Sequence, residues 1–219
     1  MTLLRFALVS AALALTACSE PATLETFKTV PISPFMGVPV LGDPNAPIEL
    51  TEYASTTCGH CKAFHDEVFP QLKEKYIDTG KVKFVWAVMP TQPTAISLAG
   101  AAIARCAGEQ QFFPAIDVLF DQQDALYEAA SDPRKLQQQL VAIGAKFNLS
   151  PDQVGTCIDS KEILAVTRDT VKNAPESITG TPSFVIKGEK IEVESFEGLS
   201  TAIDAELAKV AQPAVASPQ

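Results

Sequence analysis

The sequence has little positive charge and no long apolar run. Its 219 residues include 17 Lys and Arg against 26 Asp and Glu, which gives a formal net charge of −9. Because binding to nucleic-acid phosphates or to anionic lipid needs a basic surface, neither kind of partner is expected on this ground. No apolar run reaches the ~20 residues that span a bilayer. Apolar residues make up 47% of the chain, enough for the core of one domain with an insertion.

The first residues are typical of an export signal. Arg5 precedes the apolar run Phe6–Leu15, whose length of about ten residues suits a signal-peptide core. The segment Leu15-Thr16-Ala17-Cys18 resembles the lipobox of bacterial lipoproteins. The resemblance implies that residues 1–17 are a lipoprotein signal peptide, that Cys18 is lipidated, and that the protein is anchored to a membrane in the bacterial periplasm. An ordinary signal peptide with an incidental cysteine is the alternative.

The composition of both chain ends predicts little regular structure. Four prolines within residues 18–39 disfavour a helix and favour an extended, proline-rich tether between the anchor and a folded domain. Residues 212–219 predict a disordered tail.

Strand and helix patterns alternate between these ends. Runs rich in β-forming residues predict strands at residues 48–53, 82–89, 183–186 and 190–193, the last two as a hairpin around the turn 187–189. Apolar residues at spacings of three and four predict one helix from Cys61 to Tyr76, several helices between the second and third strands, and a last helix at 199–210.

The run Cys58-Gly59-His60-Cys61 lies where the first strand gives way to a helix. The unsatisfied N–H groups of a helix start stabilise an anion, so the pKa of Cys58 should fall and its reactive thiolate should form. Cys61 lies one turn on, in the apolar stripe, and should be less accessible. These positions predict a redox disulfide in which Cys58 reacts with the substrate and Cys61 resolves the mixed disulfide. A protonated His60 imidazole would stabilise the thiolate further and make the disulfide a stronger oxidant.

Other uses of two closely spaced cysteines fit less well. A zinc site needs two more nearby ligands, and the only histidines are His60 and His65. A c-type haem site needs histidine directly after Cys61, where Lys62 stands. A purely structural disulfide in so tight a ring would restrain little of the unfolded chain. We therefore expect neither a metal nor another cofactor.

Cys106 and Cys157 are the remaining cysteines once Cys18 carries lipid. Both lie on apolar stripes of the predicted helices. Because disulfides persist outside the cytosol, we expect a structural disulfide between them. Two buried free thiols are the alternative.

Motifs along most of the chain resemble the DsbA family of thioredoxin-fold proteins. In chain order, the motifs are Leu41-Gly42-Asp43-Pro44-Asn45-Ala46-Pro47, Glu52, Cys58-Gly59-His60-Cys61 and Gly180-Thr181-Pro182-Ser183-Phe184. The resemblance implies an α/β thioredoxin fold with an inserted all-helical subdomain. Residues 40–94 and 174–211 would form the thioredoxin-like domain and residues 95–173 the helical insertion.

The resemblance also implies roles for three residues outside the cysteine pair. Thr181–Pro182 would be a cis peptide lying against the active-site disulfide, and Glu52 a buried acid that relays a proton to or from Cys61. A strand-opening Pro182 and a solvent-facing Glu52 are the alternatives. His65 is expected on the helix surface rather than in the catalytic site.

These expectations predict an exported thiol–disulfide oxidoreductase. The leading hypothesis is an oxidase that donates the Cys58–Cys61 disulfide to exported polypeptides with thiols, and the family implies a DsbB-type membrane protein as its re-oxidant. The dipeptide Gly59-His60 resembles that of protein disulfide isomerases, which leaves a reductase or isomerase open. A non-catalytic holdase that uses the groove near Pro182 is the third alternative.

Overall fold

A computed structural model describes residues 31–211 of the chain. In this part, five strands form one mixed sheet in the order β1-β3-β2-β4-β5. The strands are β1 (Val40–Leu41), β2 (Ile48–Ala54), β3 (Val82–Val88), β4 (Ser183–Ile186) and β5 (Glu189–Ile191). Only β2 and β3 run parallel, and the other neighbours are antiparallel. The α/β class predicted from the sequence is confirmed.

Helices separate and follow these strands within residues 31–211. They are α1 (Gly59–Glu67), α2 (Phe69–Leu72), α3 (Thr94–Cys106), α4 (Phe112–Asp121), α5 (Gln123–Ala129), α6 (Pro133–Ala145), α7 (Pro151–Ile158), α8 (Lys161–Lys172) and α9 (Phe196–Ala211). Helices α3 to α8 lie between β3 and β4 in the chain, where the sequence predicts the helical insertion. In the described part of the chain, no helix has the length and apolar character that crossing a membrane requires.

The central strand β2 positions the first part of the site. Its residues alternate between the buried face and the opposite face of the sheet, and Ile48, Leu50 and Ala54 are fully buried. Glu52 lies on that same face and is fully buried as well. The strand therefore carries a carboxyl group into the core and ends four residues before Cys58.

The helix predicted from Cys61 to Tyr76 is interrupted, which corrects the prediction. Helix α1 ends at Glu67, and α2 and a π-helical turn at Lys73–Ile77 follow. Pro70 has no N–H to donate to the carbonyl four residues earlier, so a regular helix cannot pass through it. The apolar stripe survives the break, since Phe64, Leu72 and Tyr76 are all buried.

The hairpin between β4 and β5 is tighter than predicted. Strand β5 begins at Glu189 rather than Lys190, which leaves Lys187 and Gly188 as the turn. Both have positive φ, 52° and 85°, as a two-residue hairpin turn of the mirror-image type requires. The last helix also begins earlier than predicted, at Phe196.

The end of the predicted tether packs on the folded domain. The Phe35 N–H donates to the Arg105 carbonyl at 2.8 Å, and Arg105 Nη1 donates to the carbonyls of Phe35 at 2.8 Å and Gly37 at 3.1 Å. The Trp86 N–H donates to the Pro39 carbonyl at 3.1 Å. These contacts correct the tether's predicted end at residue 39, because residues 35–39 are held by the domain. The rest of the tether up to residue 30, the signal peptide with Cys18, and the 212–219 tail lie outside the described residues.

A disulfide joins Cys106 and Cys157. Cys106 is the last residue of α3 and Cys157 lies in α7, with their Cα atoms 6.2 Å apart. Both side chains are buried. Helix α7 begins with a capping box, in which Ser150 and Gln153 bond reciprocally. The bond therefore links two well-defined helices of the helical region.

Candidate active site

Cys58 caps the N-terminus of α1. Its side chain accepts a hydrogen bond from the Cys61 N–H, with 3.4 Å between N and Sγ. Cys58 is partly exposed, whereas Cys61 in the first turn is fully buried. Both are free thiols, so the structure represents the reduced pair. The difference in exposure leaves Cys58 as the sulfur that another molecule reaches.

The pKa of Cys58 is lowered to about 5. The largest cause is a hydrogen bond from the Cys61 thiol, and a hydrogen bond with the Thr181 side chain and the N–H groups of Cys61 and His60 add to it, against the opposing effect of burial. The sequence assigned this lowering to the helix start and the His60 imidazole. His60 contributes through its backbone N–H, and its side chain is exposed.

The pKa of Cys61 moves in the opposite direction. Burial raises it most strongly, and the hydrogen bond to Cys58 and the charge of Glu52 raise it further. At neutral pH the pair therefore holds its negative charge on Cys58 and its proton on Cys61.

The loop before β4, which contains Thr181 and Pro182, lies against Cys58. The Thr181–Pro182 peptide is cis, and Cys58 Sγ lies 3.3 Å from the Thr181 carbonyl oxygen. Pro182, His60 and Phe64 line a cavity of about 360 Å³ next to the pair. The structure thus brings Thr181 and Pro182 to the cysteines across more than a hundred residues of sequence.

Glu52 and His65 form a buried pair behind the cysteines. His65 Nε2 lies 2.9 Å from Glu52 Oε2, and their side chains are 4% and 0% exposed. The placement of His65 on the helix surface was wrong, because position 65 is on the same face of α1 as Cys61 and Phe64. The spacing of four residues from Cys61 is the sequence signal that indicates this face.

Sequence reasoning missed the side chains of α5 that hold the loop before α1. Gln123 Nε2 donates to the carbonyls of Thr56 at 2.9 Å and Cys58 at 3.3 Å. The Tyr127 hydroxyl donates to the Thr57 carbonyl. No local pattern in the sequence signals these contacts, because the bonded groups are 65 to 70 residues apart.

Hydrogen bonds to the Ser55 hydroxyl also hold the loop before α1. Ser55 Oγ lies 3.0 Å from Thr57 Oγ1 and 2.8 Å from Ser97 Oγ, and the Thr91 N–H donates to Ser55 Oγ at 3.2 Å. The loop is therefore fixed by the segment that follows β3 and by α3 together. Among residues 31–211, no three His, Cys, Asp or Glu side chains are grouped so as to hold a metal ion.

The pKa of Cys58 predicts how its alkylation depends on pH. We expect the rate of reaction of the reduced protein with iodoacetamide at Cys58 to be constant above pH 7 and to fall as the pH drops through about 5, because only the thiolate reacts. Mass spectrometry of samples quenched over a pH series measures the midpoint. Free cysteine, with its midpoint near ~8.5, is the control, and a Cys58 midpoint near that value would contradict the expectation.

The chain resembles several known proteins. The thioredoxin family model matches residues 36–205. The crystal structure of Wolbachia pipientis alpha-DsbA1 superimposes with a TM-score of 0.68 at 32% identity, over 81% of this chain and 96% of that one. Bacillus subtilis BdbD, at 20% identity and a TM-score of 0.67 over 80% of this chain and 96% of that one, shares the fold.

A curated relative extends this comparison. A Rickettsia typhi protein that is named as a protein-disulfide oxidoreductase is 35% identical over 169 residues, or 75% of this chain. The aligned region spans 60% of that relative's length. The thioredoxin fold with a helical insertion is thereby confirmed, and the chain belongs to the thioredoxin family, in its DsbA-like group.

Proposed function

We propose that the protein is an exported protein-disulfide oxidoreductase that acts as an oxidase. The observation that carries this proposal is the opposed shift of the two thiols, with the pKa of Cys58 at about 5 and that of the buried Cys61 raised. A stabilised Cys58 thiolate favours the reduced pair, and a disulfide whose reduced form is stabilised is a strong oxidant. The substrates are exported polypeptides with thiols.

The reaction is two successive thiol–disulfide exchanges. A substrate thiolate attacks Cys58 Sγ, the Cys58–Cys61 bond breaks, a mixed disulfide forms, and Cys61 leaves as a thiolate that takes up a proton. A second substrate thiolate attacks the substrate sulfur of that mixed disulfide, which forms the substrate disulfide and releases the Cys58 thiolate. Two electrons pass from the substrate to the cysteine pair.

Pro182 and Thr181 position the substrate in this scheme. The loop with the cis peptide bond at Thr181–Pro182 faces Cys58. Because proline has no N–H, Pro182 adds no hydrogen-bond donor to this part of the loop backbone. An extended substrate segment pairs with this loop, and its flanking side chains reach the neighbouring cavity.

The cellular setting is part of the proposal. Residues 1–17 are the lipoprotein signal peptide, and lipid on Cys18 holds the protein to a membrane facing the periplasm. A DsbB-type membrane protein takes the two electrons from the reduced pair. The DsbA-like structural neighbours support this setting, since a disulfide donor needs an oxidising compartment.

A redox titration tests the direction of electron flow. We expect the Cys58–Cys61 pair, equilibrated against reduced and oxidised glutathione, to have a reduction potential above about −180 mV, the value of protein disulfide isomerase. Trp86, the only tryptophan of the chain, lies in β3 and gives a fluorescence readout. A potential near −270 mV, that of thioredoxin, would overturn the oxidase and favour a reductase.

A further inference from the structure

Each residue of the buried pair Glu52 and His65 has one polar atom without a hydrogen-bond partner among the described residues. Glu52 Oε2 bonds to His65 Nε2, while Glu52 Oε1 and His65 Nδ1 are buried without a hydrogen-bond partner among the described residues. Buried polar atoms normally have partners, so an orphaned oxygen on a carboxyl group whose charge acts on Cys61 needs an explanation.

Aromatic side chains shield His65 from bulk solvent. Five aromatic rings surround the imidazole, with ring centroids 4.6 to 6.4 Å away: Phe64, Phe69, Phe84, Trp86 and Phe120. The titratable groups that act on the pair are Cys58 and Cys61 from α1 and Asp117 from α4. The aromatic rings therefore separate the carboxyl group and the imidazole from bulk solvent.

We propose that His65 is a positioning residue that binds Glu52 Oε2, shares its proton, and so leaves Oε1 as the atom that exchanges a proton with Cys61. This role rests on the proposed function. The proposed role of His65 concerns the proton of the buried Cys61, whereas the lowered pKa belongs to the partly exposed Cys58.

The proton balance follows from the exchange reaction. When Cys61 leaves as a thiolate, the neutral pair gives it the shared proton and becomes a carboxylate beside a neutral imidazole. When Cys61 later attacks Cys58 in a mixed disulfide, its thiol proton returns to Glu52 Oε1, the new S–S bond forms, and the bound thiol leaves as a thiolate. No other acid or base is consumed.

The imidazole acts by limiting a rise in the pKa of Glu52. Burial raises the pKa of this carboxyl group, while the charge of His65 and its hydrogen bond both lower it. Without His65 the pKa of Glu52 would rise further, and less carboxylate would be ready to accept the Cys61 proton at neutral pH. A higher pKa lowers the fraction of carboxylate at a given pH, by up to about tenfold for each unit of the rise.

Resolution of a glutathione mixed disulfide tests this role. The reduced protein is mixed with oxidised glutathione, and acid quenching with mass spectrometry follows loss of the Cys58–glutathione adduct over a pH series. We expect His65→Gln, which retains a donor for Oε2 but cannot be protonated, to resolve the adduct about tenfold or more slowly at pH 7 and to shift the profile to higher pH. Glu52→Gln should slow it at least as much, and the double variant no more than Glu52→Gln alone. A His65→Gln profile that superimposes on the wild type, or fully additive effects, would overturn the proposal.

The control variant is Phe69→Leu. It removes the ring stacked on His65 at 4.6 Å and leaves the pair intact, so it should lower the Tm without moving the pH profile. An equal shift in Phe69→Leu would show that packing alone is responsible, against the proposal. His65→Asn replaces His65→Gln if the latter does not fold.

An infrared readout separates this inference from the proposed function. The carboxylic-acid C=O band that is lost in Glu52→Gln should disappear at a higher pH in reduced His65→Gln than in reduced wild type. This titration needs no disulfide exchange. A wild type that titrates as expected yet fails to oxidise thiols would refute the oxidase alone, whereas an unmoved band would refute the role of His65 alone.

Discussion

Replacing Cys58 with serine is expected to reduce disulfide transfer to a reduced peptide by roughly a thousandfold or more, the scale of loss when a nucleophile is removed. The partly exposed Cys58 sulfur beside Pro182 is the atom that a substrate reaches, and a hydroxyl group cannot form the mixed disulfide. Replacing Cys61 with serine should have a different effect. Cys58 still forms mixed disulfides in that variant, but they persist because the resolving thiol is absent.

Intact-mass spectrometry and a thiol-oxidation assay on a two-cysteine peptide distinguish these outcomes. Cys58→Ser should show no adduct, and Cys61→Ser should accumulate an adduct of one peptide. The protein lacking both Cys106 and Cys157 is the matched control, since it keeps the active pair. Undiminished activity of Cys58→Ser in cells would rule out thiol chemistry and leave the holdase.

Loss of the Cys106–Cys157 disulfide is expected to have the largest effect on stability. The bond closes a loop across 51 residues, for which the chain-entropy model gives about 4 kcal/mol. The double variant Cys106→Ala, Cys157→Ala should therefore unfold at a markedly lower urea concentration, with a steeper dependence on denaturant because the unfolded chain without the crosslink exposes more surface. It should retain disulfide transfer at temperatures where it is folded, because neither residue lines the Cys58 site.

Reduction of the Cys58–Cys61 pair provides the comparison for this experiment. That ring spans three residues of sequence, so opening it changes the entropy of the unfolded chain little. A loss below about 1 kcal/mol in the double alanine variant would contradict the predicted stabilisation.

Local patterns predicted the elements that carry the site. The run of β-forming residues at 48–53 predicted β2, because strand preference depends on residues that are neighbours in the sequence. The stripe from Cys61 predicts a buried face correctly, yet Pro70 interrupts the helix that was expected to carry it.

Contacts between residues that are far apart in the sequence were harder to predict from the sequence alone. The approach of Thr181 and Pro182 to Cys58 came only from the family resemblance, since it joins residues 123 positions apart. The burial of Glu52 was left open, and its partner was missed. A buried acid needs a partner from another element, and the sequence does not state which one packs there.

The hydrogen bonds from α5 to the loop before α1 bear on how this fold can evolve. Gln123 and Tyr127 bind three successive carbonyls, those of Thr56, Thr57 and Cys58. The helical region is therefore not a detachable module. An exchange of this region between relatives that lacks these two side chains would leave the buried carbonyls of Thr56 and Thr57 without these donors, so both parts of the chain are constrained to change together.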